Sequence, residues 1–268
     1  MSDLRDRVPG HSLVERLLQE FDAGHIRDEG GHIVVDDEVR SWYRGVHGER
    51  AVASELSRLG AGWLVLHSVP VGARDTDIDH VVIGPTGTFT INAKYSPGKK
   101  VWAKGYGVNV DGHGTGYVPK AMAEARRASN LLSRASGITV PVTAIITFVD
   151  PGAMNVAGRV GGGGEGDPDV RVMRHRDLVG FLSGVPTLSP EQVQRLTDAA
   201  TQPSTWHSKP KASSAHSIAL EFEALEAAVG PALAAPTGSA ARRSPTSARR
   251  QTSTRPPRSP RKRRRRVN

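Results

Sequence analysis

Between Asp77 and Lys94 the chain reads DIDHVVIG, a Gly84-Pro85-Thr86-Gly87 turn and TFTINAK, and no other stretch restricts its fold so closely. β-Branched and apolar residues fill both runs, and glycines bracketing a proline-containing turn make a tight reversal. The pair reads as a β-hairpin, and WLVLHSV at 63–69 adds a third run for an antiparallel meander. A hairpin also fixes register. With the turn centred near residues 85 and 86, Asp79 and Asn92 lie close to directly opposite one another. Lys94, two residues beyond Asn92, then points to the same face.

Upstream, GERAVASELSRLG places Val52, Leu56 and Leu59 at helical spacing, with Glu49 in the first turn and Gly60 and Gly62 ending the helix. Residues 1–44 mix charge and glycine and read as an irregular or partly helical lead-in with no assigned role. Downstream, short strands are expected near 98–104 and 106–110, and VPKAMAEARRASNLLSRASG is a helix with Ala, Leu and Met on one face, closed by Pro141. VTAIITFVD (142–150) is continuous, apolar and β-branched, as a strand buried on both faces requires.

Beyond residue 150, NVAGRV, a flexible GGGGEGD, a short strand DVRVM and helices around HRDLVGFL and SPEQVQRL extend the same domain to about residue 200. HSIALEFEALEAAV (216–229) is one more helix, isolated between linkers rich in Ser, Pro and Ala within 201–235. From Pro236 onward almost nothing is apolar, so ordering entropy has no burial to offset it and disorder is expected.

Charge follows the same division. The formal net charge is +9, but residues 236–268 hold twelve Arg or Lys and no acidic residue, which leaves residues 1–235 at −3. Any basic surface on the folded part must therefore be local. The tail ends in Arg261, Lys262, Arg263, Arg264, Arg265 and Arg266, a polycation suited to releasing counterions from nucleic acid. A solubilising extension, or contact with anionic lipid, is the competing reading. With no cysteine, a metal would be held by carboxylate, amide or imidazole groups, which favours hard cations such as Mg²⁺ or Mn²⁺. No run of about 18 apolar residues is present to span a bilayer, and the start MSDLRDRVPG lacks a secretory apolar stretch, so the expected location is the cytoplasm. The glycine run at 161–164 matches neither a phosphate loop nor a dinucleotide fingerprint, and no nucleoside triphosphate is implied.

Glu49, Asp79, Asn92 and Lys94 are the candidate site. Two acids and a third oxygen around one point suit a hard divalent cation, and an adjacent lysine can orient or deprotonate a water and stabilise charge on a phosphorus centre. Asp77 lies on the same strand face as Asp79 and is expected to support it. Each residue also has a plainer reading. Glu49 would complement the helix dipole, Lys94 would guard a strand edge, and His80, on the opposite face, would pack beneath the site. Lys99, Lys100 and Lys104 with Trp102 interleaved form a weaker candidate for phosphate contact and base stacking, or an ordinary solvated strand face. Lys120, Arg126, Arg127 and Arg134 form either a positive rim or a charged helical surface.

The ordered set GE at 49, DIDHVVIGPTGTFTINAK and the PGKKVW segment resembles the nuclease-related domain, a branch of the PD-(D/E)xK endonuclease superfamily, over roughly residues 48–150. The resemblance implies a restriction-endonuclease-like α/β core of helix, antiparallel meander, helix and buried strand, within a domain over 45–200. It also implies metal-dependent hydrolysis of DNA phosphodiesters, with Glu49, Asp79 and position 92 as metal ligands and Lys94 as the catalytic lysine. Glu49, Asp79 and Lys94 match the superfamily pattern. Asn92 stands where an acid is expected, which replaces an anionic ligand by a neutral amide. A nucleic-acid-binding module that has kept the fold without the reaction is the alternative.

Removing residues 236–268 should lower DNA affinity and flatten its salt dependence by roughly 0.9 in log–log slope for each phosphate the tail neutralises. Fluorescence anisotropy at several salt concentrations measures this, and an unchanged slope would exclude the tail as the electrostatic contributor.

Overall fold

The computed structural model describes residues 3–28, 33–71, 77–161, 164, 166–207 and 215–234, all within a compact unit spanning Met1–Thr237. The disorder expected for 236–268, and with it the placement of Arg261, Lys262, Arg263, Arg264, Arg265 and Arg266, lies outside the described residues, as does the middle of the glycine run at 161–164.

The lead-in is structured. After a short 3-10 turn at Leu4–Asp6 come α1 (His11–Asp22), the antiparallel pair β1 (Ile26–Asp28) and β2 (Ile33–Val35), and a long α2 (Asp37–Leu56). The sequence pattern starts this helix near residue 48 and puts Glu49 in its first turn. The helix begins at Asp37 instead, and Glu49 sits about three turns in. A helix interior tolerates glycine at a cost of about 1 kcal/mol, and here neighbouring elements pack closely on the bare backbone. A Cβ on Gly45 would lie 2.8 Å from Leu13 of α1, and one on Gly48 would lie 3.2 Å from the Cβ of Tyr95.

The meander follows as β3 (Leu64–Pro70), β4 (Asp77–Gly84) and β5 (Gly87–Tyr95), with Gly84 paired to Gly87 across the Pro85-Thr86 turn. Gly84 is also needed sterically, because a Cβ there would meet the Trp63 ring at 2.2 Å. Then come β6 (Lys100–Gly105), β7 (Gly107–Val110), β8 (His113–Thr115), α3 (Tyr117–Ser136) and β9 (Val142–Val149). After β9 the chain forms β10 (Ala153–Val160), β11 (Val170–Arg174), α4 (Leu178–Leu182), α5 (Pro190–Ala200), α6 (Pro203–Trp206) and α7 (Ala215–Ala234). β10 covers NVAGRV, for which the sequence pattern alone predicts no element.

Nine strands make one mixed sheet in the order β3-β4-β5-β9-β11-β10-β6-β7-β8. β9 is the buried strand expected from its composition, parallel to β5 on one side and β11 on the other. Side chains alternate between two helical layers. Val81, Ile83, Ala144, Ile146 and Phe148 face α3 through Val118, Ala121, Ala125 and Leu132. Val82, Phe89, Ile91, Ile145 and Val149 face Val52 and Leu56 of α2 and Leu178 and Leu182 of α4. A third cluster joins Val39, Tyr43 and Val46 of α2 to Val14 and Leu17 of α1 and to Phe222, Leu225 and Val229 of α7. The expected last helix is thus present but not isolated; it closes the outer face of α1 and α2. Among the described residues no helix is long and apolar enough to cross a membrane.

One buried polar pair crosses the meander. His67 and His80 are partners in the β3–β4 ladder, and their Nδ1 atoms lie 2.9 Å apart. Nε2 of His80 is buried without a partner. An unpaired lone pair is cheaper there than an unpaired N–H, which favours Nδ1–H of His80 as the donor and Nδ1 of His67 as the acceptor. Burial pushes His67 down to about 4, and pushes His80 well below its ordinary value with help from His67. Both rings are therefore neutral in the fold at neutral pH.

A depressed histidine contributes stability that is present above its unfolded pKa near 6.5 and lost as pH falls toward the folded value. His67 alone should remove on the order of 3 kcal/mol between pH 6.5 and 4. Urea unfolding midpoints should drop steeply over that window and the drop should shrink in His67→Phe; a wild-type midpoint flat from pH 7 to 4.5 would contradict the buried neutral pair.

Candidate active site

His80 pairs with Ile91 in the β4–β5 ladder, so the next rung places Asp79 against Asn92. The Asp79 carboxylate occupies that rung, with its Oδ2 accepting from the Ala93 N–H at 2.7 Å. Asn92 and Lys94, both facing α3, engage its first turns. Asn92 Nδ2 donates to Glu124 Oε2 at 3.1 Å, and Lys94 Nζ sits 4.8 Å from the centre of the Tyr117 ring. Asn92 is buried and its Oδ1 has no hydrogen-bond partner.

Glu49 approaches from α2, which Gly48 brings against Tyr95 at the end of β5. Its carboxylate is buried, and Oε2 accepts from the Gly10 N–H at 2.9 Å and the Ser68 hydroxyl at 3.1 Å. Ser68 holds a left-handed φ of 45°, an uncommon conformation for a residue other than glycine. Its backbone oxygen accepts from Arg7 Nε at 2.8 Å, and its hydroxyl oxygen from the His11 N–H at 3.0 Å. Asp77, expected to support Asp79, instead accepts from the Ser12 hydroxyl and from Arg7 Nη2. It fastens the N-terminal segment that carries Gly10.

Electrostatics show that these groups sense one another. Burial pushes the Lys94 ammonium down while the Asp79 carboxylate pulls it up. Burial pushes Glu124 up, and Asp79 adds to the push. Asp77 is raised chiefly by burial, against the draw of Ser12 and Arg7. The structure thus brings Asp79, Asn92 and Lys94 together with Glu49 nearby, and adds Glu124 and Lys120, whose Nζ lies 3.6 Å from Glu124 Oε1.

Glu124 escapes sequence reasoning. It is the one acid in the helix 117–136, beside a stripe of Ala121, Ala125 and Ala128, and that position next to the apolar face is the available signal. Gly10 and Ser68 give no signal, since a peptide N–H and a lone serine are not motifs. Among the described residues no three His, Asp or Glu side chains converge closely enough to hold a metal ion by themselves.

The weaker candidates fall elsewhere. Lys100, Trp102 and Lys104 are exposed on β6, alternating with buried Val101 and Ala103, and β9, β11 and β10 stand between β6 and β5. That is about 19 Å of sheet at one strand spacing per step. Lys99 is exposed in the turn before β6. Arg126 pairs with Asp167, while Arg127 and Arg134 are exposed on α3.

A family description, the nuclease-related domain, matches residues 44–149, less than half of the chain. The span runs from the middle of α2 to the end of β9 and leaves out α1, β10, β11 and α7. No curated protein and no solved structure matches the chain.

Burial pushes the Glu49 carboxyl well above its ordinary value, Asp79 adds to this, and the Gly10 and Ser68 hydrogen bonds oppose it. A raised folded pKa contributes stability below the unfolded value that is lost as pH rises toward the folded one. Glu49→Gln keeps an acceptor for Gly10 and Ser68 without the charge. It should therefore unfold at higher urea than the wild type at pH 8, with the gap closing toward pH 4.5. A less stable variant at pH 8 would mean that the surrounding donors already satisfy the carboxylate.

Proposed function

We propose that this chain, whose residues 44–149 match the nuclease-related domain, is a metal-dependent nuclease-like protein of PD-(D/E)xK type that acts on DNA phosphodiester bonds. The observation that carries this reading is the placement of Asp79, Asn92 and Lys94 on one end of β4 and β5, where the Asp79 carboxylate acts on both the Lys94 ammonium and the Glu49 carboxyl. The donor set fits a hard cation. It consists of oxygen atoms only, and the Asn92 Oδ1 is buried with no partner of its own.

Asp79, Asn92 and Glu49 would hold Mg²⁺ or Mn²⁺, which when bound supplies charge neutralisation at the scissile phosphate and acidifies a water. The chain's own contribution is positional and electrostatic. Ala93 N–H orients the Asp79 carboxylate, and Gly10 and Ser68 orient Glu49. Lys94, its ammonium destabilised by burial, is suited to holding a phosphate oxygen in one state and giving or taking a proton at Nζ in another. The basic tail would add sequence-independent affinity for the same substrate and raise its local concentration.

A second reading, a nucleic-acid-binding module without catalysis, is favoured by the amide at position 92 and by the lack of three converging carboxylate or imidazole groups among the described residues. Plasmid nicking decides between them. With Mg²⁺ or Mn²⁺ the purified protein should nick supercoiled DNA, and Asp79→Ala and Lys94→Ala should each lose about 100-fold or more. A wild type that binds DNA in chelator yet leaves it uncut with either metal would establish the binding module.

A further inference from the structure

The third strand of the meander lacks a carboxylate at position 92, but a carboxylate stands beside that position on another element. Glu124 projects from the second turn of α3, its side chain 12% exposed, and accepts from Asn92 Nδ2 at 3.1 Å. An amide used in this way has a definite orientation. With the NH₂ group committed to Glu124, the amide oxygen, Oδ1, is left buried and without a partner. Leaving such an oxygen unanswered is unfavourable. The residue that incurs this cost lies in the rung shared with Asp79.

Asp79 uses one oxygen, Oδ2, on the Ala93 N–H, and no hydrogen bond among the described residues engages the other. Glu49 is differently placed, with Oε2 already taking two donors from the N-terminal segment and β3. The counter-charge for Glu124 is also telling. Its ion-pair partner is Lys120, a side chain 60% exposed and reaching Oε1 only at 3.6 Å, so the contact is loose and easily exchanged for another positive charge.

Resting on the metal-dependent reading above, we propose that Glu124 supplies the second carboxylate of a divalent-cation site completed by Asp79 and the Asn92 Oδ1, with Asn92 serving both as a ligand and as the clamp that aims Glu124. Two carboxylates and one amide oxygen, with water filling the remaining positions, suit a small hard cation that keeps much of its hydration. The carboxylate expected on the third strand has in effect been supplied from the helix above it. Lys120 is released when the cation enters.

Calorimetric titration of the full chain with Mn²⁺, without DNA, tests this directly. Wild type should bind one Mn²⁺ per chain, and Glu124→Gln should weaken that binding by at least about tenfold without lowering the thermal midpoint. Combining Asn92→Asp with Glu124→Gln returns a carboxylate to the strand and should recover most of the affinity, which a merely structural role for Glu124 would not produce. If Glu124→Gln binds Mn²⁺ as tightly as wild type while Asp79→Asn does not bind, the assignment of Glu124 is wrong and the nuclease reading stands. If wild type binds no Mn²⁺ at millimolar concentration, both fall together.

Discussion

A carboxyl group taken out of water must be met by donors, and much of the arrangement around the site follows from how Glu49 meets this demand. Its two donors come from Gly10 and Ser68, which precede and follow α2 in the sequence and both reach Oε2. To deliver the Gly10 N–H, the N-terminal segment has to lie against β3, and Arg7, Ser12 and Asp77 hold it there. To deliver its hydroxyl, Ser68 adopts a left-handed backbone conformation of the kind that persists only when the surroundings over-determine it. Beside Glu49, a glycine at 48 lets the helix pack closely on Tyr95 at the end of β5. Separate features of sequence and conformation thus serve one buried carboxyl group.

What was legible in the sequence was what short-range rules govern. The hairpin turn at Gly84–Gly87 sets the register that runs to His80 and Ile91, one rung short of Asp79 and Asn92, because two glycines and a proline leave few ways to reverse a chain. The apolar run of β9 and the amphipathic stripe of α3 are equally plain. The helix start at Asp37 is not, since Gly45 and Gly48 look out of place in a helix until one knows that Leu13 and Tyr95 lie against them. The order of strands is also hidden. Nothing local to β6 says that it pairs with β10, whose exposed, glycine-containing sequence resembles a loop.

The same division applies to the site. Glu49, Asp79, Asn92 and Lys94 can be picked out because they fall at a family's spacing along the chain. Glu124 cannot, because its relation to Asn92 spans 32 residues and two element types. Reading Asn92 from sequence therefore suggests a missing charge, whereas its surroundings suggest a displaced one. The site as a whole keeps Glu49 and Glu124 in conflict with burial and Lys94 in tension with desolvation. Such groups detract from the stability of the fold, so their presence is better understood through chemistry than through packing.

The strand order bears on what counts as a domain here. Residues 44–149 contain two pieces of the sheet, β3-β4-β5-β9 and β6-β7-β8, and these pieces share no hydrogen-bonded edge. The strands that bridge them, β11 and β10, lie past the end of that span. Excised at residue 149, the segment would leave β9 as a raw edge of Ala144, Ile145, Ile146 and Phe148, the kind of flat apolar margin that recruits other chains. The span that matches the family description and the span that completes the sheet are thus different lengths of the same polypeptide.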